Sequence, residues 1–262
     1  MILRNMYEFF ERAYFKLLMK LPFLPQNPIA SVYRSVGISD WKRVYSYTEP
    51  NTSDKAIKKI LQMAWKGKFK IRPGTTPLQL ETILKQIKIT NEIKGDIIEL
   101  GTYKGGTAIH MAKYLDITND SRKMYLCDTF SGFPYNDEHS KILFAKKGYL
   151  SDTSSEKVAK LFTKNNLKRN VNLIEGKFED TLEQQLSNKI FSFAFIDCDL
   201  FQSGITAIEF ISKHIAKNGI ICIHDYDTEW GMSKAIKDFE KKFPKFRMLD
   251  VVDTLGIMIV DK

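Results

Sequence analysis

From Gly95 onward the chain repeats one unit: a short continuous apolar run, a polar or glycine-containing turn, then a stretch with helical spacing. The apolar runs are "DIIEL", "KMYLCD", "NVNLIEG", "FSFAFIDC" and "GIICIHDY". Helices are predicted to begin near Gly105, Ser154, Glu179, Ser203 and Gly231. Uninterrupted apolar strands that alternate with helices predict a parallel sheet covered on both faces, since neither side of such a strand meets water. The chain closes differently. In "FRMLDVVDTLGIMIVDK" two strand-like segments flank a turn expected at Thr254 to Gly256, which predicts an antiparallel hairpin. The expected fold is α/β: a mostly parallel seven-stranded sheet with a C-terminal antiparallel hairpin and an N-terminal helical extension.

That extension covers residues 1–90, and residues 91–262 form the ligand-binding domain. "LPFLPQNP" and "RPGTTP" punctuate the helical part, because proline ends helices and starts turns. In "TTPLQLETILKQI" Thr75 or Thr76 is the candidate cap, with Pro77 in the first turn. The first 22 residues carry Met6, Phe9, Phe10, Tyr14, Leu17 and Leu18 at helical spacing, with Arg4, Arg12, Lys16 and Lys20 between them. Charges interrupt the apolar part and no small-residue cleavage site follows, so this is not a signal peptide. Two readings stand: a helix lying on an anionic membrane surface, or an apolar stripe packed on a partner subunit or on the domain itself, the commoner use of such a stripe. No apolar run reaches the length of a membrane span.

Net charge is +9, with lysine outnumbering arginine. A basic balance can attract nucleic acid, anionic lipid or an acidic substrate. The chain has neither an RNA-binding signature nor zinc-ligand spacing, so nucleic acid is not an expected partner and solvated lysine-rich helices account for the charge. Cys127, Cys198 and Cys222 are odd in number and sit inside apolar runs, which predicts buried reduced thiols and a cytoplasmic setting, peripheral to the inner membrane face if residues 1–22 bind lipid.

The candidate chemistry lies at the strand ends, where open α/β sheets bind ligands. "GDIIELGTYKGGTAIHMAKYL" runs from strand through a glycine turn into a helix, the setting of a nucleotide or nucleoside site. Three residues separate Gly101 from Gly105 and Gly106, which is not the G-x-G-x-x-G of a dinucleotide site and makes a dehydrogenase a poor reading. Asp128 ends the second strand, where a carboxylate can accept hydrogen bonds from ribose hydroxyls or serve as a turn cap. Asp197 and Asp199 close the fourth strand on the same side of the chain, and His224, Asp225 and Asp227 close the fifth. Acids so gathered repel one another, and a divalent cation relieves the repulsion. Carboxylates suit Mg²⁺ or Mn²⁺, and the imidazole of His224 shifts preference toward Mn²⁺ or another transition ion. The competing reading has Asp199 and Asp227 cap the helices that follow them. His110, His139 and His214 read as structural or solvated.

In order, "IELGTYKGGTA", "CDTFSGFP", "EGKFEDTL", "FIDCDLFQS" and "IHDYDTEWGMSKAI" resemble the macrocin O-methyltransferase family from about Thr76 to the C-terminus. The resemblance implies a Rossmann-like class I methyltransferase fold, S-adenosylmethionine as methyl donor, and metal-assisted methylation of sugar hydroxyls. It further implies that Glu99, Gly101, Tyr103, Gly105 and Gly106 surround the methionine part of the donor, and that Asp128 and Thr129 hold the ribose. Gly176, Lys177 and Phe178 lie near the adenine. Asp197 falls at a metal ligand that also borders the donor, Asp199 at a general base, and His224 and Asp225 where the family carries two consecutive aspartates. Phe201 replaces a common tyrosine. The long polar segment "SGFPYNDEHSKILFAKKGYLSDTSS" reads as a lid over the site, with Phe133 and Tyr135 either stacking on a sugar ring or anchoring the loop. The implied partner is a sugar-containing small molecule or glycan, with self-association into a homo-oligomer an open expectation. Two other readings share the cofactor fold: methylation of a catechol or small phenol, and a binding protein that has lost catalysis.

Overall fold

The computed structural model describes residues 52–142, 145–167 and 170–260; the amphipathic segment 1–22 lies outside them. Among the described residues the first elements are the helices α1 (Lys55–Trp65) and α2 (Pro77–Ile89). The alternating unit follows as β1 (Asp96–Leu100), α3 (Gly106–Thr118), β2 (Met124–Asp128), α4 (Ser155–Lys164), β3 (Val171–Glu175), α5 (Phe178–Leu186), β4 (Phe191–Ile196), α6 (Phe201–His214), β5 (Ile215–Ile223) and α7 (Gly231–Lys242). The hairpin β6 (Phe246–Val252) and β7 (Leu255–Val260) ends the chain. The strands form a seven-stranded sheet in the order β3-β2-β1-β4-β5-β7-β6. All pairings among β1 to β5 are parallel, and β7 runs antiparallel to both β5 and β6.

The continuous apolar runs are explained by the two cores the sheet separates. On one face Ile97, Leu126, Phe193, Phe195 and Cys222 pack with α1, α2 and α3. On the other Ile98, Leu100, Ala194, Ile196 and Ile223 pack with α5, α6 and α7. Successive residues of one strand serve opposite cores, and all six residues of the central β4 are buried. Ile57, Ile60, Leu80, Ile83 and Ile87 belong to the same core as the sheet, so α1 and α2 close one of its faces.

Local chemistry sets the boundaries. Thr76 is the cap of α2 and forms a capping box with Gln79, behind Pro77 at the start of the helix. Gln79 Nε2 also donates to the carbonyl of Asp253, which ties α2 to the closing hairpin. That hairpin turns one residue earlier than its sequence predicts. Asp253 and Thr254 both adopt left-handed backbone, at φ 48° and 68°, as a two-residue turn of matching twist requires, and Gly256 lies inside β7 opposite Val251. The fifth strand also starts earlier, at Ile215, where it pairs with Phe191 directly after α6. All three cysteines are buried free thiols. Among the described residues no helix is long and apolar enough to cross a membrane.

Candidate active site

Parallel register brings the strand ends level. Leu100 lies opposite Cys127 on one side and Ile196 on the other, and Ile196 lies opposite Ile223. The ladder continues past the strands, with the Asp197 amide donating to Leu100 (2.8 Å) and the His224 amide donating to Ile196 (2.9 Å). Residues following three adjacent strands therefore meet on one rim. Gly101 makes the meeting tight: its φ is 97°, and a Cβ there would lie 2.0 Å from the Asp197 carbonyl oxygen. Gly106 is required in the same way, since its Cβ would stand 2.1 Å from the carbonyl oxygen of Arg72. The glycines thus let protein backbone approach protein backbone, and the ligand space is what that packing leaves open.

A cleft opens on this rim. Eight of the residues assigned to donor or catalyst line it, Gly101, Tyr103, Asp128, Thr129, Lys177, Phe178, Asp197 and Asp199, and so does Phe133 of the lid segment. The others lie behind it. Glu99 is buried beneath the floor and accepts from the Thr102 hydroxyl (3.0 Å). Gly105 packs against α4 and Gly176 against Thr181. His224 and Asp225 flank Asp197 outside the cleft lining.

Asp128 organises the glycine turn. Its Oδ2 accepts from the amides of Thr102 (2.8 Å) and Tyr103 (2.7 Å), and its Oδ1 from the amide of Phe130 (2.7 Å). These bonds hold Tyr103 and Phe130 in left-handed backbone, at φ 49° and 51°. Asp199 (φ 60°) and Asp225 (φ 55°) share that conformation. It is uncommon for residues with a side chain and gathers at sites where geometry is imposed by function.

The carboxylates do not neutralise one another. Burial, reinforced by Asp197 and Asp225, pushes Asp199 well above the ordinary carboxylate range. Burial likewise raises Glu99, helped by Asp197 and Asp128 and against the Thr102 hydrogen bond. His224 goes the other way from a typical buried imidazole: burial alone would lower it, but Asp197 and Asp225 outweigh that and raise it well above its usual value.

Asp197, His224 and Asp225 each offer a donor atom, and the three atoms lie within 4.8 Å of one another. Nδ1 of His224 is 2.9 Å from Asp197 Oδ1 and 3.3 Å from Asp225 Oδ2, yet it is buried and aligned for a hydrogen bond with neither. Two ligands at right angles on a divalent ion stand about 3 Å apart when each bond is about 2.1 Å. Both the separations and the unpartnered nitrogen fit such an ion. The rival use of the strand-end acids fails. The residues preceding α6 and α7 are Leu200 and Trp230, neither helix receives a side-chain cap from its own flank, and Asp227 is instead a solvated partner of Lys237 (2.9 Å).

The long segment after β2 folds on its own small core, in which Phe133, only 8% exposed, meets Tyr149 and Trp230 edge to face. Phe133 anchors the loop while also lining the cleft with Gly132, Pro134 and Leu150. Tyr135 donates to Glu179, and Lys177 lies 5.5 Å from its ring centre. The ring of Phe201 lies 4.0 Å from that of His139. Gly132, Pro134 and Leu150 entered the sequence reading only as part of the lid segment, Cys198 only as a buried thiol and Ser203 only as a helix start; small and apolar side chains carry no individual signal for a cleft until the chain is folded.

The model of the macrocin O-methyltransferase family matches residues 74–259. The chain belongs to this family. It is an S-adenosylmethionine-dependent O-methyltransferase, and its sheet order is that of the class I methyltransferases. Two relatives come from streptomycetes. The 8-demethyl-8-(2,3-dimethoxy-alpha-L-rhamnosyl)-tetracenomycin-C 4'-O-methyltransferase of Streptomyces olivaceus is 24% identical over 185 residues, 68% of each chain. The demethyldecarbamoylnovobiocin O-methyltransferase of Streptomyces niveus is 25% identical over 191 residues, 68% of this methyltransferase and 71% of its relative. Among solved structures, the O-methyltransferase NovP superposes with a TM-score of 0.64 at 19% identity, covering 89% of this chain and 100% of its own.

Proposed function

We propose that this methyltransferase transfers a methyl group from S-adenosylmethionine to a hydroxyl of a sugar-bearing small molecule or glycan, assisted by a divalent ion held by Asp197, His224 and Asp225. One observation carries the reading: donor atoms from two adjacent strand ends converge within 4.8 Å, beside a cleft that Asp197 and Asp199 line. The tetracenomycin relative is named for a rhamnosyl-bearing substrate, which supports a sugar acceptor.

S-adenosylmethionine supplies a sulfonium methyl; the carbon–sulfur bond breaks as the new carbon–oxygen bond forms, leaving S-adenosylhomocysteine and a methyl ether. A divalent ion supplies positive charge that favours the deprotonated form of a nearby hydroxyl. The protein's share is placement and proton transfer. In this reading Asp128 and Thr129 orient the donor's ribose, and Lys177 and Phe178, backed by Gly176, flank its adenine. Gly101 and Tyr103 wall the methionine end, with Glu99, Gly105 and Gly106 supporting that wall from behind. Asp199 lies half-buried in the cleft wall beside Asp197 and takes the acceptor proton as general base. In this reading residues 91–262 are the donor-binding domain, and α1 and α2 close one face of its sheet.

His224 softens the donor set. Against an all-carboxylate set it gives up one negative charge and substitutes an imidazole, which favours Mn²⁺ over Mg²⁺.

The test is methyl transfer from labelled S-adenosylmethionine to a panel of glycosides and catechols, with and without chelator. Transfer to a glycoside that chelator abolishes and Mn²⁺ restores is expected. Transfer to catechols alone, or full activity in chelator, overturns the reading. S-adenosylhomocysteine is expected to raise the thermal midpoint where NAD does not.

A further inference from the structure

The helices that follow the two acidic strand ends, α6 and α7, both begin without a side-chain cap from their own flank. The first amides of a helix need acceptors when water is kept out. For α6 the acceptor comes from 64 residues away: Oδ2 of Asp137, in the loop after β2, accepts from the Phe201 amide at 2.8 Å. The same oxygen abuts α7. A Cβ built on Gly231 would lie 1.9 Å from it and 2.6 Å from the Phe201 nitrogen, so any side chain at that position would displace the carboxylate. Oδ1 of Asp137 accepts from the His139 amide (2.9 Å), which fixes the carboxylate's orientation within its own loop.

Both helix starts bear on the catalytic rim. Phe201 is two residues beyond Asp199, and the Met232 amide at the start of α7 donates to the Asp199 carbonyl (2.9 Å). The loop carrying Asp137 supplies cleft wall through Gly132, Phe133, Pro134 and Leu150. It also grips the segment between Asp225 and α7, where the Lys141 amide donates to the Glu229 carbonyl (3.0 Å).

We infer that Asp137 is a positioning residue that latches the cleft-wall loop to the starts of α6 and α7, so that Asp199 and the wall facing it are held as one unit. The inference rests on the reading that this cleft is the methyl-transfer site. Its energetic basis is a charge-assisted cap at a helix N-terminus, where a carboxylate is favoured by both the hydrogen bond and the helix dipole.

Hydrogen exchange on the full chain tests it, with wild type, Asp137→Ala, Asp137→Asn and Gly231→Ala compared, each with S-adenosylhomocysteine as the added probe. Asp137→Ala is expected to speed exchange of the Phe201 amide and of residues 132–141 by about tenfold. Gly231→Ala should reproduce this with the carboxylate still present. Asp137→Asn, whose amide oxygen can still accept from Phe201, should recover most of the protection. The β1 amides and the midpoint rise given by S-adenosylhomocysteine should not change in any variant. Unaltered Phe201 exchange in Asp137→Ala or in Gly231→Ala overturns the inference, as does an Asp137→Asn variant no better than alanine. Failure of S-adenosylhomocysteine to stabilise wild type would instead overturn the reading of the cleft on which the inference rests, an outcome separate from the exchange results.

Discussion

At the amino end of the parallel strands, Arg122 and Asp120 are only 9% and 13% exposed, and their charges are fully employed. The guanidinium pairs with Asp120 (2.6 Å) and donates to the carbonyls of Ile87 (2.7 Å) and Thr90 (3.1 Å) and to the Ser192 hydroxyl (2.9 Å). One side chain thereby closes the end of α2 and fastens it to β4. At the carboxyl end Glu99, Asp197, Asp199 and Asp225 are gathered just as closely, but burial and the neighbouring carboxylates push Glu99 and Asp199 well above the ordinary range, and Asp197 and Asp225 share the single imidazole of His224. One end is built to be satisfied by the protein, the other to be satisfied by what binds.

Substitutions at the two ends should fail in opposite ways. The largest effect is expected from Asp199→Asn, which should cut turnover of an accepted glycoside by about 10³-fold while the thermal midpoint holds or rises, because a carboxylate crowded by like charges is removed. A variant that loses midpoint along with turnover would mean that Asp199 is a structural group like those at the other end. Next is Arg122→Ala, which strands Asp120 in a nearly closed site and should cost about 3 kcal/mol of stability. The expected fall in midpoint is roughly 6–12 °C, with S-adenosylhomocysteine affinity of the folded protein unchanged in calorimetry.

His224→Asp sharpens the contrast within the carboxyl end. The added charge and hard oxygen should shift the ratio of Mn²⁺ to Mg²⁺ affinity by about tenfold toward Mg²⁺ in titration calorimetry; an unmoved ratio would remove His224 from the donor set. The smallest effect is expected at Thr76, whose capping box lies near the carboxyl end but touches no ligand residue. Thr76→Ala should cost about 1 kcal/mol in denaturant unfolding and leave turnover intact, so a loss of turnover would blur the division between the ends.

Much of this was legible in the chain. The continuous apolar runs announced a doubly covered sheet, because a strand buried on both faces is apolar except where a polar side chain finds a partner, as Ser192 does with Arg122, and β4 is buried along its whole length. The pairing of acids at strand ends announced a ligand rim for the same reason: a charge immediately after such a strand has left the core. Less legible was the use of each residue. The glycines of "GTYKGG" read as room for a ligand, whereas Gly101 and Gly106 make room for the Asp197 and Arg72 carbonyls. Asp199 and Asp227 read equally as helix caps, because an acid before a helix has the same local signature whether or not its oxygen reaches an amide. Asp137 gave no signal, since its partner Phe201 lies 64 residues further along the chain.

By itself, then, the amino-acid order determined which segments alternate, which faces are apolar and which ends bear charge, for these follow from periodicities a few residues long. Only tertiary structure decided which charges meet. Register across β1, β4 and β5 set Asp197 beside His224 and Asp225, and a loop from elsewhere capped α6 in place of the acids next to it. Distances between strands and across long loops depend on backbone packing, and no local pattern encodes them.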